Sequence, residues 1–455
     1  MPNPSNGDPN ERTRLLDNLE NGGATRKLSL RDFFLNRAHT PGEDSPKAFV
    51  RIPARAINVT KVTLFSNYVN ILLVFVPLGI VAGAFHWNPT VVFILNFFAI
   101  VPLAAILSFA TEEISLKLGQ TMGGLLNASF GNAVELIVSI VALRNDEIRI
   151  VQSSMLGSIL SNILLVLGCC FLAGGIHNTR TGTVLGIEQG FNVTVASTMS
   201  SLMAVASASL IIPATLYAAL SNSKEDNSDN ILFLSHGTAI ILLILYVLYL
   251  FFQLYTHTPL FDGEGEGAED EEEETPQISP WAAAGILVVV TIAVAVCAEY
   301  LVDSIQAVTE TLHISKTFIG LILLPIVGNA AEHVTAIVVA VKDKMDLAMG
   351  VAIGSSMQIA LLVTPFLVIL GWIMDKPMTL HFETFETVVF FLSVLVVTYV
   401  IQDGKSNYLE GAMLLGLYFI IALAFLVYPD DASNVPGNNP SKQSMVDTVK
   451  SMVGM

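Results

Sequence analysis

Gly131-Asn132-Ala133-Val134-Glu135 and Gly328-Asn329-Ala330-Ala331-Glu332 are two copies of one motif, set 197 residues apart. The same offset carries Gly157-Ser158 onto Gly354-Ser355, so in each copy the glutamate precedes the serine by 23 residues with no gap. Two coincidences at one offset are hard to produce by chance, and they divide the chain into two related halves. Each glutamate lies near the middle of an apolar run, 122–143 and 316–341. A charge at the centre of a bilayer costs at least about 2.5 kcal/mol, so a carboxylate there is expected to face an aqueous or protein-lined path and to have a role.

Outward from the motifs, the whole chain is apolar. Of its 455 residues 53% are hydrophobic and 13% are charged, about half the charged share of an ordinary soluble domain. Mean hydropathy is +0.64. Such a composition excludes a disordered chain, a coiled coil and a disulfide scaffold, and the net charge of −17 argues against a nucleic-acid partner, which needs a basic surface. Cys169, Cys170 and Cys297 all fall in apolar runs and show no metal or redox spacing. The start, MPNPSNGDPN, has no apolar core of a cleaved signal peptide.

About 20 helical residues cross a bilayer, and on that ruler the chain reads as about eleven spans. They fall near 67–86, 90–111, 122–143, 151–174, 190–220, 231–254, 281–302, 316–341, 347–373, 383–402 and 409–428. The fold class expected is therefore an all-α polytopic membrane protein. The runs are too long, and too free of two-residue alternation, for barrel strands. Residues 1–66 form a polar N-terminal tail, mostly disordered, with one short helix near Leu28–Asn36. An extra transmembrane helix (67–86) precedes a first five-helix repeat (87–258), an acidic loop (259–279), a second five-helix repeat (280–430) and a C-terminal tail (431–455). An odd number of spans per repeat inverts the second copy in the membrane, a hallmark of secondary transporters that bind their substrate at the midplane. The tail holds ten Lys/Arg against seven Asp/Glu, which favours a cytosolic N-terminus, although Arg144 and Arg149 disagree with that orientation.

Oxygen is the common currency of the motif residues. Glu135, Glu332, Asn132, Asn329, Ser158, Ser355 and Gln358 offer carboxylate, amide and hydroxyl oxygens, which suit a hard cation such as Ca²⁺. Asn132 and Glu135 share a helix face at i, i+3, as do Asn329 and Glu332, and Ser355 and Gln358; Ser158 and Asn162 share one at i, i+4. His333 is either a pH-sensitive relay or a packed imidazole. Glu112 and Glu299 are either proton-path carboxylates or interfacial charges. The loop residues Asp262, Glu264, Glu266, Glu269, Asp270, Glu271, Glu272, Glu273 and Glu274 are either a solvated run or a regulatory, calcium-attracting segment. The glycines and serines at 157–158 and 354–355 also suit close helix packing.

GNAVELIVSIVAL at 131–143 and GNAAEHVTAIVVA at 328–340 resemble the paired signatures of the vacuolar calcium/proton exchangers, within the cation/calcium antiporter superfamily. The resemblance covers about residues 60–430 and is nearest to fungal members. It implies one extra helix plus two inverted five-helix repeats, with Glu135 and Glu332 as the central cation and proton carboxylates. It also implies Asn132, Ser158, Asn329, Ser355 and Gln358 as neutral ligands, with His333 in the second motif. The repeat slips at one place, where Ser161-Asn162 faces Gln358-Ile359, so either Asn162 or Gln358 is the ligand. Glu11-Arg-Thr-Arg-Leu15-Leu16 resembles an acidic dileucine sorting signal for the vacuole. The function implied is exchange of cytosolic Ca²⁺ for lumenal H⁺ across the vacuolar membrane by alternating access, with Mn²⁺ a second candidate cargo. The two ions are the cargo, and no cofactor and no enzymatic activity are expected. The alternatives are a sodium/calcium exchanger, a cation channel and a membrane-embedded hydrolase; no HExxH or GxSxG motif supports the last.

Overall fold

The structure, a computed structural model, describes residues 40, 46–118, 122, 123, 125, 126, 130–177, 188–220, 228–261 and 276–428. The expected helix near Leu28–Asn36, the dileucine-like segment and the acidic residues 262–274 all lie outside the described residues. The chain divides into two compact units, Met1–Phe65 and Ser66–Met455.

In the first unit the described residues include a helix that the sequence reading did not expect, α1 (Ala48–Leu64). Its polar groups are internally satisfied: Thr40 Oγ1 donates to Asn58 Oδ1 at 3.0 Å and accepts from Lys61 Nζ at 3.1 Å. The four basic residues from Lys47 to Lys61 hide this helix in a reading based on hydropathy, since they interrupt the apolar run without interrupting the helical backbone.

The second unit is almost wholly helical. A 3₁₀ segment, Tyr68–Val74, capped by Asn67, leads into α2 (Phe75–Ala84). There follow α3 (Pro89–Leu118), α4 (Ala133–Arg144), α5 (Ile148–Leu160) and α6 (Leu167–His177). Then come α7 (Val193–Leu220), α8 (Ser228–Phe251) and α9 (Pro280–Leu312). The second half continues with α10 (Leu324–Gly328), α11 (Ala330–Val341), α12 (Met345–Gln358) and α13 (Thr364–Ile373). It closes with α14 (Thr384–Val400) and α15 (Tyr408–Val427). Among the described residues seven helices are long and apolar enough to cross a membrane, or up to nine if broken pairs each count as one span. The expected eleven is therefore not reached on length alone. Two expected spans fall outside that count: α14 is 17 residues long, and within the run 122–143 not every residue is among those described.

The repeat is visible in the backbone. Adding 197 to the bounds of α4 gives those of α11, and the starts of α5 and α6 map onto the starts of α12 and α13. Both copies interpose a π-helical segment, Ser161–Val166 in the first and Ile359–Val363 in the second. Such wide turns are rare and gather at functional sites. Even the turns agree, because Asp146 (φ 60°) and Asp343 (φ 64°) are both left-handed and are also 197 residues apart. Aspartate tolerates that conformation better than most side chains.

The halves interlock closely. Gly157 of α5 lies so near the backbone carbonyl of Leu321 that a Cβ there would collide with it. The α4–α5 turn is tied down by charge from several elements. Arg144 pairs with Glu299, Asp146 with Lys376, and Glu147 with Lys316 at 2.9 Å; Asn145 donates to Asp303 at 3.0 Å. Arg149 grips Glu386 with both arms, at 3.0 and 2.7 Å, and also reaches Thr317 at 3.1 Å. These pairs explain why Arg144 and Arg149 stand where the orientation rule did not expect basic residues. The corresponding α11–α12 turn is held differently, by Gln189 donating to Asp343 at 2.7 Å and by the Asn192 backbone donating to Asp346 at 2.6 Å.

Glu386 has no exposed surface, so its negative charge depends on Arg149. Removing one partner of a buried pair costs about 3–5 kcal/mol, whereas replacing both is often neutral. Arg149→Met is therefore expected to lower the thermal-unfolding midpoint in detergent sharply. The double variant Arg149→Met/Glu386→Met is expected to recover most of the loss, as read by fluorescence-detected size-exclusion chromatography after heating.

Candidate functional site

The site forms where two helices start inside the bundle. Asn132 immediately precedes α4 and Asn329 immediately precedes α11, and neither side chain caps its own helix. The short α10 ends at Gly328, and the break before α11 bends the chain by 59°. Each new helix thus begins with uncapped backbone N–H groups, which carry the positive end of the helix dipole. Glu135 and Glu332 sit in those first turns.

Glu135 is buried and Glu332 half-buried, and the two lie close enough to act on each other electrostatically. Glu135 is 6% exposed, and neither of its oxygens has a hydrogen-bond partner among the described residues. Oε2 of Glu332 and the amide nitrogen of Asn329 are equally without partners. Asn329 neighbours Glu135 and Ser355 neighbours Glu332. Gly328 leaves room for this carboxylate, since a Cβ at that position would stand 3.0 Å from Glu135 Oε1 and press on it. A cavity beside Glu135 is lined by Ser139, Ser154, Ser158 and Gly328, among others.

The neutral groups form a chain that alternates between halves. Asn132 Nδ2 donates to Gln358 Oε1 at 2.8 Å, and Ser355 Oγ donates to Asn132 Oδ1 at 2.8 Å. Asn162 Nδ2 in turn donates to Ser355 Oγ at 3.2 Å. Asn162 and Gln358 are thus members of one network rather than alternatives within it. The slip in the repeat has a backbone cause: the first π segment starts at Ser161, and the second starts one position later relative to the repeat, after Gln358.

Other expected residues lie around this centre. Ser158 is buried and lines the cavity. His333 Nε2 is 3.4 Å from Ser161 Oγ, a contact that joins the second motif to the first π segment. Glu299 is occupied by Arg144, and Glu112 is exposed near the end of α3; neither lines the cavity or joins the network described. Sequence reading missed Ser139 and Glu386. For Ser139 a signal existed, its i, i+4 spacing from Glu135. For Glu386 there was none, because its partner Arg149 is 237 residues away. Among the described residues no group of three or more His, Cys, Asp or Glu could hold a metal, so any cation here would rely on two carboxylates and neutral oxygens.

Comparison with known proteins gives a consistent picture. Residues 88–255 and 282–427 match the family described as sodium/calcium exchanger protein. The chain is 54% identical over 375 residues to a vacuolar calcium ion transporter of Schizosaccharomyces pombe, covering 82% of this chain and 88% of that one. It is 46% identical over 386 residues to vacuolar cation/proton exchanger 2 of Oryza sativa subsp. japonica, covering 84% and 86%. Among solved structures, the selenium-substituted Ca²⁺/H⁺ antiporter protein YfkE matches with a TM-score of 0.65 at 36% identity, covering 78% of this chain and 98% of that one.

Asn132 is the hinge of the neutral network, both donor and acceptor across the halves. Asn132→Ala would leave Gln358 and Ser355 each short of a partner, and a buried unsatisfied polar group costs about 1–3 kcal/mol. The expected result is a lower detergent thermal midpoint, smaller than that of Arg149→Met, together with loss of any protection by added Ca²⁺ in the same measurement.

Proposed function

The chain belongs to the sodium/calcium exchanger protein family, and we propose that it is a secondary antiporter exchanging cytosolic Ca²⁺ for lumenal H⁺ across the vacuolar membrane. The observation that carries this reading is the pair Glu135, buried, and Glu332, half-buried, with three of their oxygens unpartnered among the described residues. The named relatives supply the choice of ions and of membrane: a vacuolar calcium ion transporter, a vacuolar cation/proton exchanger and a Ca²⁺/H⁺ antiporter.

Two carboxylates near the bilayer midplane present a negative site that must be neutralised. One divalent cation does so, and protons on the same oxygens do so as well. From the cytosol, Ca²⁺ displaces protons and takes oxygens from Glu135 and Glu332. Asn132, Asn329, Ser158, Ser355 and Gln358 are in position to supply neutral oxygens once the present hydrogen bonds rearrange. The protein then opens to the lumen, where abundant protons occupy the carboxylates and remove the charge that held the ion. An empty, doubly ionised site in a low-dielectric interior is costly, which discourages return without either ligand. Coupling thus needs no separate device, because cation and proton compete for the same atoms. The N-terminus is placed in the cytosol, and no cofactor enters the cycle.

Glu135→Gln and Glu332→Gln keep the side-chain shape and remove the charge. Each is expected to reduce ⁴⁵Ca²⁺ uptake, driven by an inside-acid pH gradient into proteoliposomes, to the level of empty vesicles. Full uptake in either variant would overturn the assignment of the site. Uptake that follows a Na⁺ gradient and ignores pH would replace H⁺ by Na⁺ as the counter-ion. A panel of competing divalent ions, Mn²⁺ among them, ranks the cargo.

A further inference from the structure

The cavity beside Glu135 has a polar wall drawn from one half of the chain. Glu135 and Ser139 stand one turn apart on α4, and Ser154 and Ser158 stand one turn apart on α5; all four line it. From Glu135, α4 runs on to Arg144, and α5 returns from Ile148 toward Ser158. Ser139 and Ser154 therefore lie on the side of Glu135 nearer the α4–α5 turn.

Ser139 is 1% exposed, and its Oγ has no hydrogen-bond partner among the described residues. Ser207 Oγ is likewise without one, but a helical serine can bond the carbonyl one turn back. Ser153, Ser235 and Ser356 in this chain all do so, at 2.9, 2.8 and 3.0 Å. Ser139 forgoes that bond, and its cavity also borders the two unpartnered oxygens of Glu135. A buried hydroxyl left unmatched is destabilising unless it serves a species that comes and goes. The repeat supplies an internal control. Moving 197 residues on, Ser158 becomes Ser355, but Ser139 becomes Ala336 and Ser154 becomes Val351. The ion-site hydroxyl is kept in both halves, and the two hydroxyls beyond it occur only in the first.

We infer that Ser139 and Ser154 line a hydrated route joining Glu135 to the membrane face of the α4–α5 turn, and that the second half has no equivalent. The inference rests on the reading of Glu135 as an ion carboxylate. With a cytosolic N-terminus this is the lumenal face, so the route is the one by which Ca²⁺ departs and water-borne protons arrive. A leaving divalent cation regains its hydration shell in steps, and hydroxyl oxygens substitute for water during the first of them. At the equivalent positions of the second half, Ala336 and Val351 offer no such oxygens.

The test is sided cysteine modification in the full-length protein in proteoliposomes. Ser139→Cys, Ser154→Cys and the control Ala336→Cys are compared with the unmodified chain, in which Cys170 and Cys297 are buried. The probe is a membrane-impermeant cationic methanethiosulfonate, added to one face at a time. Ser139→Cys and Ser154→Cys are expected to react from the face of the α4–α5 turn and to slow in Ca²⁺. Ala336→Cys is expected to react about tenfold more slowly from either face, a barrier difference of about 1.4 kcal/mol. Ser139→Ala is expected to slow pH-driven uptake severalfold, and Ser139→Thr to restore it. Equal reactivity of Ser139→Cys and Ala336→Cys, reaction from the opposite face only, or full-rate uptake in Ser139→Ala would overturn the route. If Glu135→Gln is inactive in the same preparation, such a result leaves the antiport reading standing. If Glu135→Gln still transports, it is the assignment of Glu135 as an ion carboxylate that fails, and the route with it.

Discussion

Burying negative charge without a fixed counter-charge is the constraint around which this protein is organised. Neither Glu135 nor Glu332 forms an ion pair among the described residues, although the first is buried and the second half-buried. Glu386 shows the other solution. It is more deeply buried than either, and Arg149 neutralises it permanently through two hydrogen bonds. The contrast separates a carboxylate with a fixed counter-charge from a pair that has none, the pair to which the proposed antiport assigns a mobile cation. A permanent arginine beside Glu135 would stabilise the bundle and abolish any reason for an ion to bind.

Broken helices make the unneutralised pair tolerable. By starting α4 and α11 inside the bundle, the chain brings the positive ends of two helix dipoles to the two carboxylates. Gly328 then lets the second break approach Glu135 Oε1 without obstruction. The π segments that follow Ser158 and Gln358 widen the backbone close to the polar residues. Dipoles and neutral oxygens soften the charge without cancelling it, which a reversible site requires.

Much of this was legible in the sequence because the repeat is a local pattern read at two places. The offset of 197 named both glutamates, both asparagines and the serines, and the backbone follows it down to Asp146 and Asp343. What was not legible depends on tertiary contact. The α4–α5 turn looked like a misplaced basic segment, because Glu299, Lys316, Lys376 and Glu386 lie between about 150 and 240 residues away in the chain. Asn162 and Gln358 looked like competitors, because one-dimensional alignment cannot show that both bond into the Asn132–Ser355 pair. α1 escaped notice for a different reason: hydropathy finds spans, and a basic helix is not one.

The alternation of halves within the neutral network has a mechanical consequence. Asn162 and Asn132 come from the first half, Ser355 and Gln358 from the second, and every bond that links them crosses the boundary. Any motion of one half against the other must therefore stretch or exchange those bonds. The oxygens that would serve a cation are the same atoms that report the relative position of the halves. A ligand shifts a conformational equilibrium only through different contacts in the two states. Here the contacts that differ between states and the contacts that would hold the ion are one set. On the proposed reading, binding and movement are coupled at the site itself, with no need for a signal carried from elsewhere in the protein.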